Sequence, residues 1–453
     1  DLERTAKAML SSVSGPQKQD FIHNVMAETA FRVMRNEVVR NTPDASKVAS
    51  ASQLFSAARD SALVQLAPGR GPYRDLRAAC NLLSEQLAGA IGEGFNADGA
   101  TTALAYVPVN SDPLNVVDID RWTPEYNKGY LDPAAGAASG LQSFLTPQWG
   151  QVKTILGAEA IRQLVEDSPG PARFLLNPAD TYSLRDRTIT SNGVTQAISK
   201  ELIGTLINPA FISQAEKVVQ TSASLTPTEK LIAEFWEDGG GTPFPPGSMM
   251  ELGKFASEKY NLNTEMDTKL FFGLGKALMT SSVACWATKL AYDSTRPLIA
   301  IRELGKLGLI GEIDPVTGRS QVQAYDRATQ TTGMIFADEW QTYQTTGAGY
   351  TPPFPEYTSG HSTFSASAAR MIELVTGRSD FGGSISARSL IEKNRPETPT
   401  LNLSWATWDD AALQAANSRL YGGIHFESGN LDGRAMGQVI GNDVFARLQH
   451  FWG

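Results

Sequence analysis

Three short stretches of this chain carry residues of the types and spacing that hold an oxyanion. Lys289 and Arg296 share Lys289-Leu290-Ala291-Tyr292-Asp293-Ser294-Thr295-Arg296-Pro297. Ser359-Gly360-His361 closes the turn Pro353-Phe354-Pro355-Glu356-Tyr357-Thr358. Arg419 and His425 share Ser418-Arg419-Leu420-Tyr421-Gly422-Gly423-Ile424-His425. Arginine forks donate parallel hydrogen bonds to adjacent oxygens, and a lysine adds a movable point charge. The Ser359 hydroxyl, the Gly360 N–H and the free N–H groups of a helix start would add donors from a fixed turn. A histidine behind the central atom can bond it, as nucleophile or as metal ligand. A second histidine on the opposite side can pass a proton to or from an apical oxygen.

Taken singly, each of these residues has an ordinary structural role. Lys289 and Arg296 could be solvated helix charges, Ser359-Gly360-His361 a helix cap, Arg419 a surface ion pair, and His425 a core histidine. Together they point elsewhere, because all three donor-rich stretches lie in apolar surroundings. Burying several cations is tolerable only where an anion compensates them. The chain has four histidines, and two fall in these stretches; His23 and His450 have no comparable neighbours.

The elements that must position these residues read as mainly α: helical bundles with long loops. Helical spacing runs through 21–40, 47–66 and 73–95, and a capping box with Pro at N1 (Thr226-Pro227-Thr228-Glu229) starts another helix. Residues 266–302 predict one or two buried helices, 365–376 a helix behind His361, 408–421 a helix delivering Arg419, and 433–452 a closing helix. Gly99–Tyr130 reads as a structured surface excursion, 161–221 as short helices split by prolines, 309–326 as a small hairpin, and 343–350 and 377–400 as polar stretches. We expect one large helical domain over 1–453. Its amino-terminal half is 1–238 and its carboxy-terminal half, 248–453, carries the motifs; the Gly/Pro-rich 239–246 is the candidate internal boundary.

Composition narrows the classes. Hydrophobic residues are 42% and charged residues 19%, an ordinary soluble balance. A net charge of -9 with no basic stripe argues against a nucleic-acid partner. Cys80 and Cys285 allow at most one disulfide, and no zinc spacing is present. No apolar stretch reads as a membrane span; 271–285 carries Lys276 and reads as buried helix. Asp118 and Asp120 could hold calcium, but such aspartates more often cap turns. A start without Met or an apolar export segment suggests a trimmed mature chain, periplasmic or secreted with the cytoplasm left open, or simply a region of a longer chain.

The ordered set Lys-x6-Arg-Pro, Ser-Gly-His, Ser-Arg-x5-His resembles the signature of the vanadium-dependent haloperoxidases, bacterial type, and of the acid phosphatases sharing their fold. The resemblance covers roughly Met266–Gly441. Trp286, three before Lys289, and Phe354, seven before His361, are similar to the chloroperoxidase branch. The resemblance implies vanadate as cofactor, with His425 as axial metal ligand and His361 as acid–base catalyst. It puts Lys289, Arg296, Ser359, Gly360 and Arg419 around the equatorial oxygens, with Lys289 also polarising peroxide, and Trp286 and Phe354 on the halide side. It further implies hydrogen peroxide and halide (iodide and bromide, chloride open) as substrates, with a small organic acceptor and a homodimer as open possibilities. Two positions depart from the pattern. Thr358 stands where many members have Pro. Gly429 stands where the family often has an Asp four residues after the metal histidine, so Glu427, Asn430 or Asp432 is expected to orient His425. Alternatives are a phosphatase, with His425 as nucleophile and His361 as acid, and an oxyanion-binding protein without turnover. Two intact histidines argue against the latter.

Overall fold

The structure, a computed structural model, describes residues 2–127, 140–239, 242–344, 351–392 and 399–452. Two compact units emerge, 1–102 and 103–453. The candidate boundary at 239–246 lies within the second unit. Of the stretches singled out in the sequence, 128–130, 240–241, 345–350 and 393–398 fall outside the described residues.

The first unit is four helices, Leu2–Ser12, Lys18–Asn41, Ala45–Ala62 and Leu76–Asn96. Asp44 and Asp75 cap the last two by accepting from the N–H groups two and three residues on. Met9, Phe21, Val25, Leu76, Cys80 and Leu83 form its core.

In the second unit, the helix Thr264–Tyr292 runs through the middle of the candidate site region. Asn263 caps it by accepting from Met266 N, and Asp293 ends it in the left-handed region at φ 46°. Leu270, Leu274, Leu278, Val283 and Cys285 are buried around its circumference, the pattern of a core helix. By length and composition it is also the one helix among the described residues that could cross a membrane, although over half of its most apolar window is buried.

Helix Gly360–Thr376 packs against it and against the terminal helix Glu427–Trp452. Gly429, Gly433, Gly437 and Gly441 lie four apart along the terminal helix, on one face. A Cβ would come within 2.9 Å of Ser359 O at Gly433, 3.0 Å of Ala366 Cβ at Gly437 and 2.9 Å of Arg370 Cβ at Gly441. Glycine thus lets the two helices approach until main chain meets main chain. Helix Trp408–Tyr421 joins from the other side, with a Thr407–Asp410 capping box at its start and Ser365 Oγ donating to Ala412 O across the contact (3.1 Å).

The helical class holds, with corrections in detail. A three-stranded antiparallel meander, Thr181–Ser183, Thr188–Ser191 and Val194–Ala197, stands where prolines suggested only short helices. The hairpin near 309–326 extends to a third strand, Thr331–Phe336. Within 377–400, Asp380–Ala387 is a strand paired with Leu401–Thr407. Most of these strands are short and partly exposed, which weakens the two-residue alternation that announces a strand, although Leu401–Thr407 does alternate, with Leu403 and Trp405 buried. The surface excursion expected at 99–130 holds only in its first part: Val107, Val109 and Val117 are exposed, but Ile119 and Trp122 are buried, and Trp122 N donates to Asp293 O (2.8 Å). The Gly/Pro stretch 239–246 is shorter than expected because a helix begins at Phe244, with prolines in its first turn. Cys80 and Cys285 are buried free thiols.

Candidate active site

Helix ends position every member of the site. Lys289 lies in the last turn of Thr264–Tyr292, where the helix dipole favours a cation. The turn at Asp293 and the bridge Arg121–Ser294 then direct the chain to Arg296, which precedes helix Pro297–Lys306 with Pro at N1. Ser359 is the N-cap of Gly360–Thr376, accepting from Ser362 N (3.4 Å). Ser359 N donates to Gly429 O (2.9 Å), and the Gly360 N–H has no acceptor among the described residues. Arg419 closes Trp408–Tyr421. Beyond it Gly423, at φ 73° and against the Trp340 ring, turns the chain so that His425 enters the same space.

Lys289, Arg296, Ser359, Arg419 and His425 are all at most 2% exposed. Lys289 Nζ donates to Pro355 O (2.7 Å), Glu356 O (2.8 Å) and Thr358 O (2.7 Å), which uses all three of its protons. Arg296 donates through Nε to Phe354 O (3.0 Å) and through Nη1 to Ile424 O (2.8 Å). Arg419 Nη1 reaches Trp236 O (3.1 Å), while its buried Nε has no partner among the described residues. Burial, more than any neighbour, pulls these cations down: Lys289 to about 8, Arg419 to about 9 and Arg296 to about 10. A buried set of this sign suits a compensating anion.

The protons on His425 follow from its neighbours. Nε2 lies 3.3 Å from Arg296 Nη1, and a guanidinium can only donate, so Nε2 is the acceptor. The ring proton therefore sits on Nδ1 and is donated to Glu356 Oε1 at 2.7 Å. Burial, then the charges of Arg296 and Lys289, hold His425 well below its usual range. The imidazole is neutral, with a lone pair on Nε2 directed among the cations. His361 is likewise pulled down, by burial and then by Arg419, with the backbone at Trp236 and Glu237 acting in the opposite sense. Its Nε2 has no hydrogen-bond partner among the described residues and lies 3.8 Å from Asp238 Oδ2, another unpartnered atom. The Phe354 ring lies 5.1 Å from Lys289 Nζ and meets the Trp286 ring at 4.9 Å, and Trp286 Nε1 donates to Leu145 O (2.9 Å).

The structure thus brings together all nine sequence-selected residues, and it adds two that sequence reasoning missed. Asp238 comes from the distant Gly/Pro stretch. Glu356 lies in the quoted motif, where its signal was a lone acid in an apolar run. The expected partners of His425 are engaged elsewhere or exposed. Asp432 accepts from Tyr357 OH (2.7 Å), Asn430 bonds Ser362 (3.0 Å) and Ala416, and Glu427 is exposed. The reason is geometric: Glu356 already occupies the space beside Nδ1. Asp118 and Asp120 accept from Tyr182 OH (2.6 Å) and Phe174 N (2.7 Å), as turn- and loop-pinning aspartates do.

The donor set suits a tetrahedral or trigonal-bipyramidal oxyanion such as vanadate: three buried cations, a capped helix start, and unpartnered polar atoms on His361 and Arg419. Comparison with family models matches residues 269–453 to the VCPO second helical-bundle domain. A holo-type bacterial vanadium-dependent chloroperoxidase is similar over 94% of this chain and 83% of its own, at 18% identity and TM-score 0.64. Its apo-type counterpart gives 18% identity over 94% and 85%, with TM-score 0.62. A bacterial vanadium-dependent iodoperoxidase gives 17% identity over 99% and 94%, with TM-score 0.54. Comparison with curated sequences finds no match.

Proposed function

We propose that this chain, whose residues 269–453 match the VCPO second helical-bundle domain, is a vanadate-dependent haloperoxidase that uses hydrogen peroxide to oxidise iodide and bromide. The observation that carries this reading is the neutral His425, proton on Nδ1 and Nε2 lone pair among three buried cations. That is a metal-ligating nitrogen beside an oxyanion cradle. Bound vanadate would supply a Lewis-acidic V(V) centre able to activate peroxide toward halide.

The chain's own residues divide the remaining work. Arg296, Arg419, the Ser359 hydroxyl and the Gly360 N–H hold anionic oxygens. Lys289 joins them by exchanging one of its three carbonyl bonds for an anion oxygen, which makes it an adjustable donor. His361 is kept neutral and its Nε2 is free, so it can take a proton from incoming peroxide and return it to the departing oxygen. Asp238 stands close enough to stabilise the imidazolium so formed. Trp286 and Phe354 narrow the mouth and exclude water on the side where halide would approach.

The test is a paired assay on metal-stripped protein. Orthovanadate is restored and peroxide supplied with iodide, bromide or chloride in turn, while phosphate-ester hydrolysis is followed without vanadate. Vanadate-dependent iodide and bromide oxidation, abolished in His425→Ala, is the expected result. Ester hydrolysis alone, inhibited by vanadate, would instead assign a phosphatase with His425 as nucleophile.

A further inference from the structure

We infer that Glu356 is the positioning residue that fixes the tautomer and direction of His425, and that residue 429 is glycine because the Glu356 carboxylate fills the volume a side chain there would need. The inference rests on the oxyanion-site reading above and concerns residues that the motif pattern leaves unassigned.

Glu356 is fully buried, and its hydrogen bonds tie its own motif stretch to the other two. Its N–H donates to Ser294 O (3.1 Å), two residues before Arg296. Its carbonyl accepts from Lys289 Nζ (2.8 Å). Its Oε1 accepts both from His425 Nδ1 (2.7 Å) and from Phe426 N (3.2 Å). The carboxylate therefore grips the imidazole and the next peptide at once, from a backbone that is itself pinned at both ends. An imidazole so held has one tautomer and one ring direction, and its Nε2 is left as the acceptor.

Gly429 supplies an independent observation. A Cβ built there would lie 3.0 Å from Glu356 Cδ and closer still to Oε1. A side chain at 429 and a glutamate at 356 compete for the same volume. A carboxylate carried by residue 429 would arrive where that of Glu356 now sits. The two positions are thus alternatives for delivering one carboxylate to His425.

This exclusivity gives a test with a change of sign. Orthovanadate binding to the metal-free full chain is measured by calorimetry for wild type, Glu356→Ala, Gly429→Asp and the double variant. Each single change should weaken binding by about 10- to 100-fold, the usual effect of losing the group that orients a metal-ligating histidine. The double variant should recover to within a few-fold of wild type. Glu356→Gln, which keeps an acceptor on Nδ1, should stay nearer to wild type than Glu356→Ala. With only four histidines in the chain, imidazole ¹⁵N spectra of the metal-free protein give a readout independent of vanadate. His425 should be the Nδ1–H tautomer in wild type and in Glu356→Gln; in Glu356→Ala, where only the longer 3.3 Å contact from Arg296 still favours it, a mixture should appear.

Unchanged vanadate affinity in Glu356→Ala, or an unchanged tautomer, overturns the inference. A double variant that folds, by its circular dichroism, yet binds no better than the weaker single overturns the exchange of positions. Wild type that binds no vanadate would sink the functional reading instead, and the tautomer measurement would still decide the role of Glu356.

Discussion

Replacing Lys289 by Met tests how this site tolerates its own charge. In wild type the ammonium is buried, and burial lowers its pKa from 10.5 to about 8. A shift of that size corresponds to about 3 kcal/mol against the charged form at neutral pH. Against this stand three hydrogen bonds to Pro355 O, Glu356 O and Thr358 O. Removing the donor strands Glu356 O and leaves Pro355 O and Thr358 O with only long contacts, from Arg296 Nη2 (3.5 Å) and Cys285 Sγ (3.3 Å), at roughly 1–3 kcal/mol for each acceptor. The loss exceeds the relief, so Lys289→Met should destabilise the anion-free protein at pH 7 by about 2–5 kcal/mol.

The pH dependence has a definite sign. Between the folded value near 8 and the unfolded value near 10.5, the unfolded chain binds more protons, so wild-type stability rises with pH across this window. The variant lacks that contribution. The gap between wild type and variant should therefore widen from pH 7 to pH 10, by up to about 3 kcal/mol. Denaturant unfolding of both proteins at the two pH values, followed by tryptophan fluorescence, measures it. A variant more stable than wild type at pH 7 would refute the carbonyl cage, and a gap that does not move with pH would refute the burial of a charged lysine.

Two further predictions concern the surroundings of the site. Burial raises Asp120 from 3.8 to about 6, so its charged form weakens the fold above that pH, and the penalty fades as pH falls from about 6 toward 4. Asp120→Asn keeps an acceptor for Phe174 N and should be more stable than wild type at pH 7, by on the order of 2 kcal/mol allowing for partial exposure, with the difference gone near pH 4 in thermal melts; an equal difference at both pH values would disprove the reading. Trp286→Phe keeps a ring against Phe354 but deletes the bond from Nε1 to Leu145 O, at about 0.5–1.5 kcal/mol. Hydrogen exchange should then quicken in 143–152 while Lys289 and its helix keep their protection; unchanged exchange there would mean that Trp286 does not tether the loop.

Much of the site was legible because its chemistry is written locally. Lys289 and Arg296 share one helix end and its exit, Ser359 and His361 share one N-cap, and Arg419 and His425 share one turn. Helix boundaries were legible where caps mark them, as at Thr226 and at the start of Trp408–Tyr421. Contacts between distant segments were not. Nothing local ties Glu356 to a histidine 69 positions away, or brings Asp238 to His361. The strands at 181–197 escaped because they are three or four residues long and at least partly exposed at most positions. In the other ribbon, Leu401–Thr407 does alternate and buries Leu403 and Trp405, but its partner Asp380–Ala387 is mostly glycine, serine and exposed positions, so the pair read as part of a polar stretch.

The glycine face of the terminal helix has a consequence for how an anion is received. His361 begins one of the two helices and His425 stands just ahead of the other, and at Gly433 and Gly437 these helices meet without an intervening layer of side chains. Main-chain atoms have no rotamers, so the spacing of the two histidine-bearing ends is a property of a rigid frame and not of a repackable contact. An oxyanion bound there, as proposed, would have little disorder to remove from the protein, and most of its favourable interactions would remain as affinity. The same frame fixes the size of the group it can accept, because it cannot spread to fit a larger one.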